Sequence, residues 1–508
     1  MKQKIILSTL NARYLHTSLA LRYIAANMME LSGNTEIVEF VIGENTFLLA
    51  EKLLLKSPDI IGFGVYIWNA TETKKLIDAI KAISPDTIII AGGPEVSYEP
   101  LRVDFSNADY IVRGEGERSF YELCAQIIAK TPPKERIINK KPLPPKEIAL
   151  PYRLYTDEDI AHRYIYVEAS RGCPFECEFC LSSIDERVSY FDVDAILREF
   201  ETLWQRGARN FKFIDRSFNL NVSVATRIFD FFLSKEPPYL LHFEVIPDSF
   251  PQRLLSKIAQ FPPASLQLEV GIQTLNDEVG ARINRRLDKE KIKQNIAFLE
   301  RDTSTHLHVD LIAGLPGESM ESFGKNLNEL YALTSSEIQL GILKKLSGTS
   351  IGRHDATYNA VYSDEPPYEI LQNDLIPFLQ MQQIKRFARF WDIGYNSGNF
   401  RESIRMLWMG TDDVFGSFFA FSEWVYSQTE STWQIAMNRY AELLFRYLTE
   451  LIGVDKSIVA DAILNDISAV GGRSVPHFLR DFAAKIPQKN SSEEPKIGKR
   501  QQIWAKKE

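Results

Sequence analysis

The first 140 residues alternate short apolar segments with amphipathic ones. The apolar segments, several of them rich in the β-branched residues that favour strands, lie at 4–10, 36–42, 60–67, 87–91 and 110–112. Apolar residues at helical spacing lie between them, for example at 72–83. This alternation predicts βαβ units and an open, doubly wound parallel sheet. Ligands of such sheets bind at the carboxyl ends of the strands.

A second alternating region follows, from Tyr164 to about Leu346. Its strand-like segments lie at 164–169, 211–214, 241–246, 266–270, 307–312 and 338–343. Six β/α repeats are fewer than the eight of a closed barrel, so we expect a partial (β/α)6 barrel. The segment 131–151 between the two regions holds six prolines and several lysines, which is typical of a linker.

Strand patterns stop after about Ile351, and 370–391, 433–452 and 457–466 have helical spacing. The aromatic-rich segment 415–433 either forms helix core, the simpler interpretation, or lines a substrate pocket. The last residues, from Gln488, are polar and charged, and we expect them to be disordered. The predicted organisation is therefore a domain at 1–140, a linker at 141–160, a barrel at 161–350, a helical domain at 351–487 and a tail at 488–508.

Composition and charge restrict the classes of function that are open to this protein. The net charge of −8 disfavours bulk nucleic-acid binding, although a local basic groove stays open. No apolar run is long enough to span a membrane, and no signal peptide is evident, so we expect a cytoplasmic protein. Four cysteines in 508 residues exclude a disulfide framework. Clustered cysteines then point to metal binding or catalysis.

Three of the four cysteines lie on one predicted loop, with the spacing Cys-x3-Cys-x2-Cys: Cys173, Cys177 and Cys180. The fourth, Cys124, lies within a predicted helix and is most simply a core residue. A structural zinc site would need a fourth ligand, and the nearest histidine, His162, precedes the strand. Three thiolates without a fourth describe a 4Fe–4S cluster with one open iron.

This loop resembles the cluster motif of the radical S-adenosylmethionine superfamily, whose fold is a partial barrel of this kind. Other matching motifs occur in family order: FIDRSF at 213–218, EVGIQT at 269–274, DLIAGLPGE at 310–318 and LKKLSGTS at 343–350. The resemblance implies S-adenosylmethionine contacts from Phe179, Asp215, Ser217, Glu269, Gln273, Asp310 and Gly314. Structural alternatives remain: Asp215 as an exposed strand-end cap, Glu269 paired with an arginine, and Gly314 with Gly317 in a turn.

The resemblance also implies the chemistry. A reduced cluster passes one electron to S-adenosylmethionine, and the resulting 5′-deoxyadenosyl radical abstracts a hydrogen atom from the substrate. An external one-electron reductant of the flavodoxin or ferredoxin type is then required. The protein itself positions the cofactors and excludes water and oxygen.

In the first domain, small polar residues and glycines follow the predicted strands, where they could hold a large flat ligand. These candidates are Asn11, Tyr14, His16, Thr17, Ser18, Val65, Tyr66, Trp68, Asn69, Gly92, Gly93, Pro94, Glu95, Gly114 and Gly116. From the residues alone a nucleotide or a flavin fits equally well, although the absence of GxGxxG weakens the dinucleotide interpretation.

Domain order and these turns resemble the cobalamin-binding radical S-adenosylmethionine enzymes, whose amino-terminal domain is flavodoxin-like. The Asp-x-His-x-x-Gly motif, whose histidine binds cobalt in other cobalamin proteins, is absent here. We therefore expect His16 to be a capping or hydrogen-bonding residue rather than a cobalt ligand. The alternative that the first domain has lost the ability to bind cobalamin stays open. The carboxy-terminal region resembles the helical extension of an uncharacterised branch of these proteins.

The resemblance favours a cobalamin-dependent enzyme that methylates an unactivated carbon. Two alternatives stay open: cobalamin-dependent cyclisation or rearrangement, and a regulator that binds an iron–sulfur cluster or cobalamin without turnover. The intact series of barrel motifs counts against a regulator. The sequence names neither the substrate nor the oligomeric state.

Overall fold

The computed structural model describes residues 3–185, 187–470 and 473–483, so the predicted tail at 488–508 lies outside the described residues. The chain divides into two compact units. Unit 1 contains residues 1–218, 344–352 and 362–369, and unit 2 contains the remainder.

Unit 1 begins with a six-stranded parallel sheet in the order β2-β1-β3-β4-β5-β6. Its strands are β1 (Ile5–Asn11), β2 (Thr35–Val41), β3 (Ile60–Gly64), β4 (Ile88–Gly92), β5 (Tyr110–Arg113) and β6 (Ile137–Asn139). The helices between them are α1 (Leu19–Ala26), α2 (Thr46–Leu54), α3 (Ala70–Ile83), α4 (Pro94–Ser97) and α5 (Gly116–Ile128). Apolar cores cover both faces of the sheet. The order of the first five strands is the flavodoxin-like one, as predicted.

The segment predicted as a linker carries structure of its own. Strand β6 lies within the proline-rich 131–151 and pairs with β5 through Ile111↔Ile137. Short 3-10 helices follow at Pro145–Glu147 and Tyr152–Leu154, then α6 (Asp157–His162). Tyr152 and Tyr155 are fully buried, so this stretch packs as part of unit 1.

The second α/β region begins in unit 1 with β7 (Ile165–Val167), the two-residue strands β8 (Ser170–Arg171) and β9 (Ser189–Tyr190), α7 (Val193–Gln205) and β10 (Asn210–Phe213). Strands β7 and β10 are parallel, with Ile165 opposite Phe211. The helix α7 turns its apolar face inward through Ile196, Phe200 and Leu203.

Unit 2 continues the alternation. Its elements are α8 (Val222–Leu233), β11 (Leu240–Val245), α9 (Gln252–Ile258), β12 (Leu266–Gln273), α10 (Asp277–Arg282), α11 (Lys289–Asp302), β13 (His306–Ala313), α12 (Met320–Leu333) and β14 (Glu337–Ile342). Strands β11 to β14 pair in chain order, all parallel. One face of β12 and β13 is apolar through residues such as Leu268 and Val309, and the other carries Glu269, His308 and Asp310.

The rest of unit 2 is mainly helical. It contains α13 (Asp355–Tyr358), two short strands, β15 (Val361–Tyr362) and β16 (Ile370–Gln372), then α14 (Phe378–Trp391), α15 (Val414–Thr429), α16 (Met437–Arg446) and α17 (Lys456–Ala469). Two π-helices, Asp392–Asn396 and Tyr447–Ile452, extend α14 and α16. The helix predicted from Ile370 begins only after Pro377, because the residue before a proline avoids the helical region.

The core interpretation of the aromatic segment 415–433 is confirmed for Phe418 and Phe421, which are fully buried. Phe418 contacts Phe387 of α14 at 5.1 Å between ring centroids. Trp433, at the end of the segment, is 73% exposed. The predicted fold class, two parallel α/β regions followed by a helical region, is thereby confirmed. In the part of the chain that the structure describes, no helix is both long and apolar enough to cross a bilayer.

Candidate functional site

The cysteine loop starts from a fixed base after β7. Strands β8 and β9 close this base by antiparallel pairing of Ser170 with Tyr190 and Arg171 with Ser189. Gly172 follows with φ of +89°, and a side chain there would collide with the carbonyl oxygen of Arg187. The entry to the loop therefore requires glycine both for its backbone angle and for space.

All three cysteines of the loop are thiols rather than disulfides. Cys173 and Cys177 are buried and Cys180 is half-buried. The Cys180 amide donates to the Cys177 carbonyl at 3.0 Å, and the Cys173 amide donates to the Asp185 carbonyl at 3.3 Å. Among the described residues no group of three metal-ligating side chains is already assembled. The donor set itself, three thiols on one loop, fits three irons of a 4Fe–4S cluster.

Cys124 takes no part in this loop. It is fully buried in α5, and burial raises the pKa of its thiol to about 12. It is therefore an inert core residue, as predicted.

Asp215 lies directly behind the loop and is 2% exposed. Its carboxylate accepts from the Ala169 amide at 3.0 Å and from the Ser170 hydroxyl at 2.5 Å. Burial raises the pKa of Asp215 to about 7, against these hydrogen bonds. Asp215 is thus a buried cap on the chain leading to Cys173, rather than an exposed one. Ser217 is buried nearby in sequence, and Phe179 on the loop is half-buried.

In unit 2, Glu269 and Asp310 lie midway along β12 and β13, and Gln273 is the last residue of β12. A bulge between Gly271 and Gln273 shifts the register, and Gln273 has φ of +72°. The Gln273 Oε1 atom is buried and finds no partner among the described residues. That orphaned acceptor fits a group donating from a ligand.

Glu269 pairs with a histidine. His242 Nε2 lies 2.9 Å from Glu269 Oε2. The pKa of Asp310 is raised well above its ordinary value, first by burial and then by the negative charges of Glu269 and Glu244, against the opposing charge of Arg285. This sheet face would therefore favour a cationic ligand.

Gly314 has φ of +89°, and a Cβ there would lie 2.6 Å from Ile370 Cγ2. Packing and backbone conformation alone thus require this glycine. Its position gives no separate support to a cofactor contact.

The cobalamin candidates of unit 1 follow β1, β3, β4 and β5, which are neighbours in the sheet. Their parallel carboxyl ends share one edge, so the four loops lie together, as predicted. Many of these side chains are buried and make hydrogen bonds within the domain. Asn69 is fully buried and donates to Thr9 Oγ1, the Leu10 carbonyl and the Gly64 carbonyl. Those buried to 6% exposure or less are Asn11, Thr17, Ser18, Val65 and Asn69.

Other candidates at this edge stay accessible. Trp68 is 45% exposed, and its ring stacks on Tyr66 at 4.5 Å between centroids. Gly114 has φ of +73° with open space where a side chain would lie. Gly93 has φ of +110° and packs against the Val65 carbonyl, so that Pro94 can begin α4. An exposed aromatic surface and an open glycine turn at the same edge of the sheet fit a large flat ligand such as cobalamin.

The remaining candidates make contacts within unit 1. His16 Nδ1 lies 2.6 Å from the Tyr166 hydroxyl, and burial lowers the pKa of His16. The expected hydrogen-bonding role of His16 is thus observed. Tyr14 bonds Glu158 at 2.5 Å, and Glu95 accepts from the Tyr368 hydroxyl. Gly92 and Gly116 lie at the end of β4 and the start of α5.

Sequence reasoning missed two groups. Arg171, at the base of the cysteine loop, contacts Glu115, Glu117 and Glu168. Glu318, at the end of the motif 310–318, is fully buried and bonds Thr274. Arg171 has partners remote in sequence, which no local pattern reveals; the position of Glu318 directly after Gly317 was the available signal.

Comparison with known proteins identifies three family models along the chain. A B12 binding domain matches residues 6–124, and the radical SAM superfamily matches residues 167–330. A family described as a protein of unknown function (DUF4080) matches residues 356–507.

Among curated proteins, the chain is 25% identical over 312 residues to a 2-(S-pantetheinyl)-carbapenam-3-carboxylate methyltransferase of Streptantibioticus cattleyicolor, covering 54% of this chain and 45% of that protein. It is 23% identical over 325 residues to the cobalamin-dependent radical SAM methyltransferase TokK of Streptomyces tokunonensis, covering 56% of this chain and 47% of TokK. The chain thus spans about half the length of these relatives.

Among solved structures, the radical enzyme OxsB with aqua-cobalamin and S-adenosylmethionine bound shares the fold. The TM-score is 0.61 at 13% identity, over 91% of this chain and 78% of OxsB. The expected combination of a flavodoxin-like domain and a radical SAM barrel is confirmed by this likeness and by the two family models.

Proposed function

We propose that this chain is a cobalamin-dependent radical enzyme that methylates an unactivated carbon, because it matches a B12-binding domain followed by a radical SAM domain. One observation carries the proposal: unit 1 holds both the three-thiol loop after β7 and the flavodoxin-like sheet. Relatives described as methyltransferases support methylation over cyclisation or rearrangement.

When bound, the cluster, S-adenosylmethionine and cobalamin supply radical formation and a transferable methyl group. Cys173, Cys177 and Cys180 are the proposed iron ligands. Asp215 holds the backbone and the hydroxyl that precede them. Phe179, Ser217, Glu269, Gln273, Asp310 and Gly314 remain proposed contacts for S-adenosylmethionine, of which the orphaned Gln273 oxygen has the clearest structural support.

For cobalamin we propose contacts from the exposed Trp68 ring, from the open turn at Gly114 and from the backbone of the turn at Gly93. The buried Asn11, Thr17, Ser18 and Asn69 then shape these loops instead of contacting the ligand through their side chains. The proposal assigns cobalamin to residues 1–140, radical formation to 161–350, and a role in enclosing substrate to the helical region 351–487.

Radical SAM enzymes draw electrons from an external reductant, and we propose a small flavodoxin or ferredoxin for this chain. We propose the reducing cytoplasm as its location, because thiols stay reduced there and so remain able to bind iron. A net charge of −8 disfavours a nucleic acid as the substrate.

The first test is iron and cobalt per chain, in protein purified without oxygen from cells supplied with cobalamin. We expect about four irons for the cluster and one cobalt. Reduction with S-adenosylmethionine present should then yield 5′-deoxyadenosine, and a labelled methyl group should appear on cobalamin. Four irons without cobalt would support the assignment of the radical domain but would contradict cobalamin-dependent methylation.

Cysteine variants supply the matched control. Cys173→Ala, Cys177→Ala and Cys180→Ala should each abolish 5′-deoxyadenosine formation, because each removes a cluster ligand. Cys124→Ala should not, because Cys124 is a core residue of α5. Any loop variant that still forms 5′-deoxyadenosine contradicts the assignment.

A further inference from the structure

Arg171 lies two residues before Cys173 and is held by three carboxylates. Its Nε donates to Glu168 at 2.9 Å. Its Nη1 donates to Glu115 at 2.7 Å, and its Nη2 donates to Glu117 at 2.8 Å. Every nitrogen of the guanidinium is therefore engaged, and Nη2 also lies 2.8 Å from Glu168 Oε1, so that Glu168 faces two of the three nitrogens.

The network is sheltered. The side chains of Glu117 and Glu168 are 6% and 5% exposed, and that of Arg171 is 19% exposed. The guanidinium also lies 4.7 Å from the ring centroid of Tyr23 and 5.3 Å from that of Phe191. A lysine could not reproduce this arrangement, since it lacks the planar fork that serves three acceptors and stacks on rings.

Arg171 connects two segments that sequence reasoning treated separately. Glu115 is the N-cap of α5 and Glu117 lies in its first turn, directly after the loop that follows β5, one of the four loops at the candidate cobalamin edge. Arg171 belongs to β8, whose pairing with β9 closes the base of the cysteine loop. One guanidinium thus holds the loop of the proposed cluster against the turn of the proposed cobalamin domain.

We propose that Arg171 is a positioning residue for the iron–sulfur cluster, and that Glu117, through this network, lowers the cluster's reduction potential. The inference rests on the proposed function, because it requires that the chain bind the cluster.

The electrostatic reason follows from charge and distance. Three carboxylates surround one guanidinium, so the network is net negative whenever two or more of them are ionised. Burial raises the pKa of Glu168 and of Glu115. The Cα atoms of Arg171 and Cys173 can lie no more than about 7 Å apart, so the chain brings this network next to the cysteine loop. Poorly screened negative charge near a cluster disfavours the addition of an electron. Net charge around a cluster is among the factors that set its potential.

The test uses substitutions that separate charge from shape. Glu117→Gln keeps an oxygen that accepts from Nη2 of Arg171 and removes one negative charge. Arg171→Lys keeps the positive charge and removes the planar guanidinium that binds three carboxylates. Glu122→Gln is the matched control, since Glu122 lies on the same helix, half-exposed, and pairs with Lys140 and Arg118. All are compared as anaerobically reconstituted full chains without S-adenosylmethionine.

The readouts are iron content, the electron paramagnetic resonance spectrum of the reduced cluster, its midpoint potential by redox titration, and the rate of iron release to a chelator. We expect Glu117→Gln to raise the midpoint potential at wild-type iron content, and Glu122→Gln to leave it unchanged. We expect Arg171→Lys to change the spectrum and to speed iron release severalfold. If Glu117→Gln fails to fold, Glu115→Gln carries the same test through Nη1.

Two results would overturn the inference. An unchanged potential in the glutamate variant, even with lowered thermal stability, would reduce the network to a structural role. A wild-type spectrum and iron-release rate in Arg171→Lys would remove the positioning role. These outcomes differ from failure of the proposed function, in which the wild-type chain itself would show no cluster signal.

Discussion

Glu318 is the buried carboxyl whose effect on stability is best defined by the structure. Its side chain is fully buried, and its Oε1 accepts from Thr274 Oγ1 at 2.8 Å and from Asn326 Nδ2 at 2.7 Å. Its Oε2 has no partner among the described residues. Burial raises the pKa of Glu318 from 4.5 to about 7. The residue joins the exit of β12 to α12, next to the candidate contact Gln273.

The sign of the pH effect follows from the direction of this shift. Below about pH 4.5 the Glu318 carboxyl is protonated in both the folded and the unfolded chain, so the free energy of unfolding is not reduced. Between pH 4.5 and about 7 the unfolded chain releases it first, so stability falls as the pH rises. Above about pH 7 the loss is complete. The difference in pKa of about 2.5, at about 1.4 kcal/mol for each unit, gives ~3 kcal/mol as the upper estimate.

Glu318→Gln removes this titration while keeping the oxygen that accepts from Thr274 and Asn326. We therefore expect the variant to gain stability relative to wild type between pH 5 and 8, by up to ~3 kcal/mol.

The assay is urea unfolding of the apoprotein at pH 5, 6, 7 and 8 at constant ionic strength, reported as the difference between variant and wild type. Taking this difference cancels the similar titration of Asp215, whose pKa is also raised to about 7. Glu321→Gln, which removes an exposed partner of Lys325, is the control and should show no comparable gain. A variant difference that stays constant across this pH range would refute the reasoning.

Three further predictions concern unit 1. Gly93→Ala should destabilise the fold by at least about 1–3 kcal/mol, seen in thermal unfolding of the apoprotein, because φ is +110° and the new Cβ would lie 2.5 Å from the Val65 carbonyl oxygen. Arg22→Met should cost up to about 3–5 kcal/mol in urea unfolding, because buried Glu39 and Asp159 would lose their short contacts of 2.9 and 2.8 Å with Arg22 and keep only Arg163, at 3.7 and 3.4 Å; a loss below about 1 kcal/mol would contradict this. His16→Ala should leave the visible spectrum of bound cobalamin unchanged, since His16 bonds Tyr166; a shifted spectrum would indicate cobalt ligation.

The strands could be predicted because strands buried on both faces of a parallel sheet are nearly continuous apolar runs. The predicted 60–67 and 87–91 correspond to β3 (Ile60–Gly64) and β4 (Ile88–Gly92). Strand β6 was missed because it is three residues long within a proline- and lysine-rich segment, and its hydrogen bonds come from β5. Short edge strands depend on their neighbour more than on their own sequence.

In the candidate site, too, the features formed by neighbouring residues could be predicted and those formed by distant residues could not. The cysteine loop could be predicted because its ligands lie within eight consecutive positions. The network of Arg171 could not, because Glu115 and Glu117 are 56 and 54 residues away in sequence. Contacts across such separations exist only once the sheet of the first domain has formed.

This division changes how mutations at the candidate cobalamin edge should be understood. Asn69 and Trp68 are adjacent and both were candidate contacts, yet Asn69 is fully buried with three internal hydrogen bonds while Trp68 is 45% exposed. Loss of cobalamin in Asn69→Ala would follow from a collapsed β3–α3 turn, and so would not show contact with the ligand. Loss of cobalamin in Trp68→Ala, at unchanged apoprotein stability, would. Ligand contact at this edge is therefore best judged from the exposed side chains, with the buried ones as controls for the fold.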